Sequence, residues 1–422
     1  MRIIVYPHSM EIGGSQLNAV QLAGAVRDRG HEVIVVAEPG PLVDTVRELG
    51  LEIVPIPERR RRPSLGVASL LTRLVDRRGV DVVHGYEWPP AVEAFYGPRL
   101  RLGTPVLATI LSSSVVPFFP RPVPLLVGTE QLQHTAQAAG YWRVNLMEPP
   151  VDTDRDRPGA CGPDAVARFR AAYAPDPTLP LAVMVCRLVP ALKRESLLAA
   201  CGAVEELAVS GTPVQLVIVG DGPVRDELAA RAEAANRRAG RRLVVLAGAL
   251  SDPRPAYDAA DVVLGMGGSA LRALAFGKPL VVVGEHGFSE LLTERTAPMF
   301  LADGWYGLGP GSLGEGVAGL SRQLSVVLDD PVLRAELGAY GRELVLTRFS
   351  LRIAAETQEE EYRQVIAGAT ARRQLLGPAT RSAAGVLNYK VHRKISRWRG
   401  TVAVDDANAQ AVLAARPTEV RT

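Results

Sequence analysis

The sequence predicts an α/β protein made of two doubly wound domains that face a central cleft. The chain has 422 residues, of which 47% are hydrophobic, so it is too long for one ordinary core and suits two. Short apolar runs alternate with amphipathic helical patterns, and this alternation stops at a proline-rich break and then starts again. Strands that alternate with helices in this way form parallel sheets through right-handed crossovers.

Apolar strands and glycine-bounded helices follow one another through the first half of the chain. Residues 3–6 form the first predicted strand, Gly13-Gly14 the turn after it, and Gly30 the end of the next helix. The remaining strands predicted for this half are 33–37, 52–56, 82–84, 106–110 and 125–127. We therefore expect one parallel sheet with helices on both faces.

The second half repeats the alternation after a break at Pro149-Pro150, where two prolines exclude a helix. Its predicted strands are 182–186, 214–219, 243–246, 262–264 and 280–283. The expected parts are a first domain at 1–150, a second at 151–345, helices crossing back toward the first at 346–400, and a flexible tail at 401–422. Ligands of such sheets bind at the carboxyl ends of the strands, which are expected to face the cleft.

Composition and charge exclude several classes of protein. The net charge of +3 is too small for a chain that neutralises many nucleic-acid phosphates, so no nucleic-acid partner is expected. Cys161, Cys186 and Cys201 have neither disulfide nor zinc-site spacing, and no cluster of ligands indicates a metal. Because no secretory leader and no transmembrane run of apolar residues is visible, we expect a soluble cytoplasmic protein.

Three segments carry residues that suit a phosphate. Gly13 and Gly14 leave backbone N–H groups open at a helix start, although an ordinary tight turn would also explain them. Arg187 ends a strand and Lys193 precedes a helix, so this pair can neutralise a diphosphate leaving group; plain surface cations are the alternative. Gly267-Gly268-Ser269 opens another helix with free N–H groups, and a ligand-free turn is the alternative there.

A further candidate group, on the acceptor side, follows a strand of the first half. His84, Glu87 and Trp88 place an imidazole, a carboxylate and an aromatic ring at the expected edge of the cleft. Such a rim suits a sugar or another ring-shaped acceptor. A purely structural His84 is the alternative.

Taken together and in order, these segments resemble the family 4 glycosyltransferases of the GT-B fold, which has two Rossmann-like domains. The resemblance covers residues 1 to about 365, and its motifs are weak singly but specific as a set. The matching segments are Gly13-Gly14, Gly30-His31-Glu32-Val33, Asp81-Val82-Val83-His84, Pro150-Val151-Asp152, Arg187-Leu188 with Lys193, Val219-Gly220-Asp221-Gly222-Pro223 and 257–261. The resemblance implies that Arg187 and Lys193 hold the donor diphosphate.

The sequence departs from this family at the two carboxylates that flank its Gly-Phe-Gly turn. Gly265-Met266-Gly267 matches the turn, whereas the carboxylate positions hold Leu264 and Arg272. Leucine accepts no hydrogen bond, and arginine only donates. We therefore expect either that Arg272 reaches the donor phosphates or that Glu285 and Glu290 contact the donor hydroxyls.

The resemblance implies a bacterial, metal-independent transferase that moves a hexose-like sugar from a UDP- or GDP-linked donor with retention of configuration. In that class the leaving diphosphate can help to deprotonate the acceptor, so a carboxylate nucleophile is less necessary than in glycoside hydrolysis. No cofactor is expected beyond the nucleotide-sugar co-substrate, and a small-molecule, lipid-linked or glycan acceptor stays open. Because the paired carboxylates are missing, a catalytically inactive binding or scaffold protein is an alternative, and a nucleotide-sugar epimerase is another.

A basic amphipathic pattern covers residues 386–399. Leu387, Val391, Ile395 and Trp398 share one helical face, and lysines and arginines occupy much of the rest. This helix either docks across the first domain or lies apolar side down on the inner face of an anionic membrane. The second arrangement would suit a lipid-linked acceptor.

Overall fold

A computed structural model of the chain describes residues 1–58, 62–112, 114–141, 143–174, 176–307, 311–369 and 371–398, without the side chains of 396 and 397. The tail expected at 401–422 and the last residue of the basic pattern, 399, lie outside the described residues. The chain divides into two compact units. Unit 1 contains Met1–Pro149 together with the chain from Leu351 onward, and unit 2 contains Pro150–Ser350.

Unit 1 is built on a parallel sheet with the strand order β3-β2-β1-β4-β5-β6-β7. Its strands are β1 (Arg2–Tyr6), β2 (Glu32–Ala37), β3 (Glu52–Pro55), β4 (Val82–Tyr86), β5 (Val106–Ile110), β6 (Leu125–Val127) and β7 (Val144–Leu146). The first six confirm the predicted runs. The prediction lacks β7 because its three residues, with polar Asn145 in the middle, make no apolar run.

The helices of the first part of unit 1 lie between these strands. They are α1 (Gly14–Asp28), α2 (Leu42–Glu48), α3 (Leu65–Arg78), α4 (Trp88–Ala94), α5 (Leu100–Leu102) and α6 (Glu130–Ala138), with a π-helical turn at Phe95–Arg99. Gly30 follows α1 with φ +89°, so the predicted left-handed glycine at the end of this helix is confirmed.

Unit 2 repeats the architecture with the strand order β10-β9-β8-β11-β12-β13. Its strands are β8 (Leu181–Val185), β9 (Gln215–Val219), β10 (Val244–Gly248), β11 (Val262–Gly265), β12 (Leu280–Val283) and β13 (Ser289–Leu291). β13 pairs antiparallel with β12, while the other pairs are parallel. The predicted parallel strands are confirmed, and the prediction lacks only β13, a short edge strand that contains Ser289 and Glu290 and reads as a polar loop.

The helices of unit 2 are α7 (Pro163–Tyr173), α8 (Pro190–Val209), α9 (Arg225–Ala239), α10 (Arg254–Ala259), α11 (Gly268–Ala275), α12 (Ala297–Asp303), α13 (Gly316–Leu328) and α14 (Pro331–Leu344), followed by a π-helical turn at Val345–Phe349. Buried aliphatic residues of the strands form the core on both faces of the sheet. The first turn of α8 is interrupted, because Ala191 and Leu192 have non-helical backbone angles.

The chain then returns to unit 1 as α15 (Leu351–Ala367), a 3₁₀ turn (Arg372–Leu375) and α16 (Leu376–Trp398). Helix α15 packs against α1 and buries Tyr362 and Val365 in the core of unit 1. The described helices include none that is both long and apolar enough to cross a membrane.

Candidate functional site

The crevice of unit 2 opens where the chain leaves β8, between β9 on one side and β11 on the other. Ligands of doubly wound sheets bind at this kind of switch point. The chain leaving β8 stays attached to the turn after β9: the Cys186 N–H donates to the Val219 carbonyl (3.0 Å), and the Leu188 N–H to the Asp221 carbonyl (2.9 Å). These two bonds fix Arg187, which lies between them, at the carboxyl edge of the sheet.

Gly220 and Gly222 allow this close approach of two backbone segments. Both residues have positive φ, +145° and +151°, which side chains of L-residues rarely adopt. A Cβ at Gly220 would overlap the carbonyl oxygen of Cys186, and one at Gly222 would overlap that of Leu188. Gly220 and Gly222 therefore serve the turn after β9.

Arg187 and Lys193 bring positive charge to this edge without a protein counter-ion. Arg187 is exposed and Lys193 half-buried, and neither forms an ion pair or a side-chain hydrogen bond with the described residues. The pKa of Lys193 is lowered to about 8, mainly by burial; Cys186 opposes this shift and the neighbouring Arg187 adds to it. An anion that binds beside a desolvated, unpaired ammonium group stabilises its charged form.

A strained residue precedes the regular part of α8. Leu192 has φ +65°, an unfavourable conformation for a branched side chain, and its N–H donates to Glu285 Oε1 at 3.0 Å. Glu285 was expected to contact the donor. In the structure one of its oxygens accepts a hydrogen bond from the backbone directly before Lys193, so Glu285 helps to position that lysine. Its donor contact stays a prediction.

A second carboxylate ties the same two segments in the opposite direction. Glu195 of α8 accepts hydrogen bonds from the N–H groups of His286 (2.8 Å) and Gly287 (2.5 Å) in the loop after β12. His286 has φ +56°, again a left-handed conformation. We call these contacts, together with the Glu285–Leu192 bond, the α8 clamp; the sequence pattern gave no sign of Glu195.

The start of α11 is open, as the sequence predicts for a phosphate site. Gly267 has φ +56° at the position before the helix, and no side chain caps the helix. Nothing lies within 4 Å of the space that a Cβ at Gly268 would occupy. The Ser269 hydroxyl is hydrogen-bonded to the Tyr257 hydroxyl at 3.0 Å, which leaves the first amides of α11 facing open space.

Arg272 has a different partner from the phosphate that was expected. Its Nε donates to Asp156 Oδ2 at 2.8 Å, and the Asp156 side chain is 4% exposed. The ion pair and a hydrogen bond with Tyr257 raise the pKa of Arg272 against the opposing effect of burial. The guanidinium therefore already neutralises a buried carboxylate of unit 2, and the donor contact expected of Arg272 stays a prediction.

Glu290 lies on β13, five residues after Glu285 in the chain. Burial raises the pKa of Glu290, and the nearby carboxylate of Glu315 raises it further. Its Oε2 accepts a hydrogen bond from Gln323 Nε2 at 3.4 Å. No contact links Glu290 with the described Arg187 or Lys193, so its assignment to the donor stays a prediction.

One residue at this edge is missing from the sequence prediction. Tyr306 lies over the glycine turn, since a Cβ on Gly267 would be 3.2 Å from the tyrosine hydroxyl. The signal in the sequence is the motif Gly304-Trp305-Tyr306-Gly307, two aromatic residues between glycines in a loop. The Gly267 N–H donates to the Trp305 carbonyl (2.8 Å), and Gly307 forms a bridge with Gly284 after β12.

Glu87 organises the carboxyl edge of the sheet in unit 1. Its carboxylate accepts hydrogen bonds from the Ser15 hydroxyl (3.0 Å), the Leu111 N–H (3.0 Å), and the N–H and hydroxyl of Ser112 (3.1 and 2.6 Å). It has φ +68° and is 7% exposed. Glu87 therefore joins the start of α1 to the segments after β4 and β5, and the acceptor contact expected of it stays a prediction.

The glycines after β1 lie beside this carboxylate. Gly13 precedes α1 with an extended backbone and no side-chain cap, and Gly14 is exposed with nothing within 4 Å of its missing Cβ. The helix start is therefore accessible. A donor contact for Gly13 and Gly14 stays a prediction.

His84 is a core residue and does not reach the edge of the sheet. It is fully buried, and its ring nitrogens are hydrogen-bonded to the Tyr362 hydroxyl (2.8 Å) and the Thr109 hydroxyl (2.7 Å). Burial lowers its pKa to about 3, so the imidazole is neutral. The expectation that His84 contacts the acceptor is wrong, because the side chain points from β4 toward α15.

Trp88 is half-buried and belongs to an aromatic cluster. Its ring packs edge-on against Phe118 (5.1 Å between centroids) and against Tyr389 of α16 (5.8 Å). The acceptor contact expected of Trp88 stays a prediction, now with α16 as a direct neighbour. Across the described ranges, no group of three or more His, Cys, Asp and Glu side chains is placed to hold a metal ion.

Fold and site define an α/β protein with two doubly wound sheets, one of which has a cationic, glycine-lined edge suited to an anionic ligand. Comparison with known families gives two matches: residues 12–124 match "Glycosyltransferase Family 4", and residues 180–305 match "Glycosyl transferases group 1". The chain belongs to the family 4 glycosyltransferases and has the GT-B fold.

Individual relatives agree with this assignment. The chain is 34% identical over 174 residues to the 2-deoxystreptamine glucosyltransferase of Streptomyces kanamyceticus, a match that spans 39% of this chain and 41% of that protein. A glycosyltransferase from Rickettsia africae superposes with a TM-score of 0.70 at 14% identity, over 86% of this chain and 98% of the other. Anabaena Alr3699/HepE in complex with UDP gives 0.65 at 16%, over 86% and 100%.

Proposed function

We propose that this protein transfers a sugar from a UDP-linked donor to an acceptor hydroxyl with retention of configuration. The observation that carries the proposal is the edge of unit 2, where the unpaired cations Arg187 and Lys193 lie at the switch point of a sheet whose helix α11 starts with open amides. The family assignment supports the reaction type, and the UDP complex of HepE supports the nucleotide.

The same edge accounts for the chemistry. When the bond between the sugar and the diphosphate breaks, negative charge builds on the leaving oxygen, and preorganised cations and amides lower the energy of that state most. Arg187, Lys193 and the amides of Gly268 and Ser269 supply this stabilisation. In a retaining transfer the leaving diphosphate then takes the acceptor proton, so the reaction needs no separate carboxylate base.

Nucleotide binding tests the donor site directly. We expect calorimetry to detect UDP binding, and the double variant Arg187→Ala with Lys193→Ala to weaken it by about 100-fold or more, since each charged hydrogen bond contributes about 1.5–3 kcal/mol. Arg194→Ala is the matched control, because Arg194 is adjacent but already paired with Glu227. Wild-type protein that binds neither UDP nor GDP, or a double variant that binds UDP normally, would overturn the proposal.

Turnover separates the transferase from the two alternatives. An inactive binding protein would bind UDP-sugar but would not convert it, whichever acceptor is supplied. An epimerase would change the sugar when no acceptor is present. We expect UDP release that depends on an added acceptor, with aminocyclitols tried first because the Streptomyces relative is a 2-deoxystreptamine glucosyltransferase. The stereochemistry of the product then tests retention.

We also propose that the distal half of α16 contacts an anionic lipid surface. The near half docks on unit 1, where the Ser382 hydroxyl donates to the Phe118 carbonyl (2.7 Å). Farther along, the apolar face is exposed, with Trp398 at 90%, and residues 376–398 contain lysines and arginines but no Asp or Glu. An exposed apolar face among cations matches an interfacial helix.

Vesicle sedimentation tests this contact. We expect the protein to sediment with vesicles of phosphatidylglycerol and phosphatidylcholine but not with phosphatidylcholine alone, and Val391→Glu with Ile395→Glu to abolish sedimentation. Val332→Glu is the control, since Val332 is an apolar residue on α14 that is at least as exposed as Val391 and Ile395. Equal sedimentation of all variants would contradict the lipid contact and leave the donor site untouched.

A further inference from the structure

The hydroxyl end of Tyr306 lies at the cationic edge of unit 2 and has no partner there. A Cβ placed on Gly267 would be 3.2 Å from its hydroxyl oxygen and 3.3 Å from Cζ. The side chain is half-buried, and its hydroxyl makes no hydrogen bond with the described residues. A half-buried hydroxyl beside an open helix start is therefore left with a free donor hydrogen.

Both backbone neighbours fix this position. The carbonyl of Trp305 accepts from the Gly267 N–H at 2.8 Å, and the Trp305 ring is 2% exposed and stacks on Phe300 at 5.7 Å between centroids. On the other side, Gly307 bridges Gly284 at the end of β12. Trp305 itself adopts a left-handed φ of +66° in this arrangement. These contacts therefore attach the segment around Tyr306 to the core of unit 2.

The surroundings of the hydroxyl favour a charged oxygen ligand. Burial raises the pKa of Tyr306 and the positive charge of Arg187 lowers it, so the guanidinium lies within electrostatic reach of a neutral hydroxyl donor. The space above Gly268 is open. The position that family members use for a carboxylate holds the buried Leu264, so another side chain must supply a directional polar contact at this turn.

We infer that Tyr306 is a donor-binding residue whose hydroxyl donates a hydrogen bond to the terminal phosphate of the nucleoside diphosphate. The inference rests on the proposed function. The terminal phosphate carries the larger charge of the two, so it is the group that the unpaired Arg187 and Lys193 attract most strongly. The hydrogen bond from Tyr306 is directional, unlike the attraction of the two charges, and it orients the leaving phosphate toward the amides of α11.

Titration calorimetry with UDP and with UMP tests this role. We expect Tyr306→Phe to weaken UDP binding by about 10-fold, since a hydrogen bond to a charged group is lost without a change in packing, and to change UMP binding by less than about 2-fold. Tyr340→Phe is the matched control: Tyr340 is a half-buried tyrosine of unit 2 whose hydroxyl makes no bond to the described residues. An unchanged melting temperature without nucleotide shows that the variant is folded.

The outcomes separate this inference from the proposal on which it rests. Wild-type protein that fails to bind UDP overturns both. Wild-type binding with an unchanged UDP affinity in Tyr306→Phe overturns only the role of Tyr306. An equal loss of UDP and UMP affinity also overturns it, because the hydroxyl would then act on the nucleoside or the inner phosphate.

Discussion

At the residue scale, the burial of Lys193 changes the pKa of a residue that we assign to donor binding. With a pKa of about 8 in the free protein it is mostly protonated at pH 7, and a bound diphosphate would favour the charged form further. A guanidinium keeps its proton over the whole accessible range, so replacing Lys193 with arginine separates the effect of the lysine proton from that of the positive charge.

We expect the affinity for UDP to fall as the pH rises above about 8. Binding requires the protonated amine, so the dissociation constant should increase up to about tenfold per pH unit until the pKa of the complex is reached. Calorimetry between pH 7 and pH 9.5 checks this, in a range where the phosphates of UDP are already ionised. Lys193→Arg should remove the pH dependence, and a slope that persists in this variant would contradict the assignment.

Arg272 shows how one substitution changes its surroundings. A carboxylate at this position would face Asp156, whose pKa is raised by burial even with the arginine present. The sequence identifies the departure from the family pattern at 272. It could not identify the partner, because Asp156 lies more than a hundred residues away and belongs to an irregular segment.

We expect Arg272→Ala to lower the free energy of unfolding of unit 2 by about 3–5 kcal/mol, since it leaves a buried carboxylate without its counter-ion. Adding Asp156→Asn should recover a large part of this loss. Arg272→Glu should be worse than alanine, because two carboxylates would then share the site. Urea denaturation of the three variants measures the difference; a neutral Arg272→Ala would show that water replaces the guanidinium.

At the scale of elements, the α8 clamp determines where Lys193 lies. Glu285 and Glu195 tie the start of α8 to the loop after β12 across three backbone N–H groups, all of which belong to residues with left-handed φ, and two of these, Leu192 and His286, are not glycines. Such strained residues persist when neighbouring contacts hold them. The strands around them were predictable from apolar runs, whereas the clamp depends on tertiary hydrogen bonds that no local pattern shows.

We expect Glu195→Gln to weaken UDP binding by about 3- to 10-fold although Glu195 touches no ligand group. An amide has one acceptor oxygen in place of two, so one of the two loop N–H groups loses its partner and the clamp loosens. Calorimetry measures the change, and amide hydrogen exchange at His286 and Gly287 should rise with it. Glu227→Gln, which breaks a surface pair on the neighbouring Arg194, is the control. Normal affinity together with faster exchange would exclude a positioning role.

At the scale of the whole molecule, the C-terminal return of the chain completes unit 1. The Tyr362 hydroxyl is hydrogen-bonded to His84 (2.8 Å) and to the amide of Gln358 (2.8 Å), and Tyr86 donates to Gln358 at 3.1 Å. The sequence predicted two doubly wound domains and helices after the second, because apolar periodicity is local. It misplaced His84, because the residue that buries it comes from α15, far along the chain.

We expect Tyr362→Phe to lower the free energy of unfolding of unit 1 by about 2–4 kcal/mol. The loss follows because His84 and Gln358 would each keep a buried polar group without a partner. Tyr173→Phe, on a half-buried tyrosine of α7 whose hydroxyl makes no bond to the described residues, should change it by less than about 0.5 kcal/mol. Urea denaturation checks both, and equal stabilities would show that the buried network carries no net free energy.

Because unit 2 is inserted between two parts of unit 1, translation delivers the pieces in an unusual order. The roughly 200 residues of unit 2 take on the order of 10–40 s to synthesise at about 5–20 residues per second, and all of them are synthesised before α15. During that interval helix α1 and His84 lack α15, the segment that packs against them in the folded protein. On the ribosome, unit 2, to which we assign the nucleotide, can therefore fold first, although synthesis of unit 1 begins first.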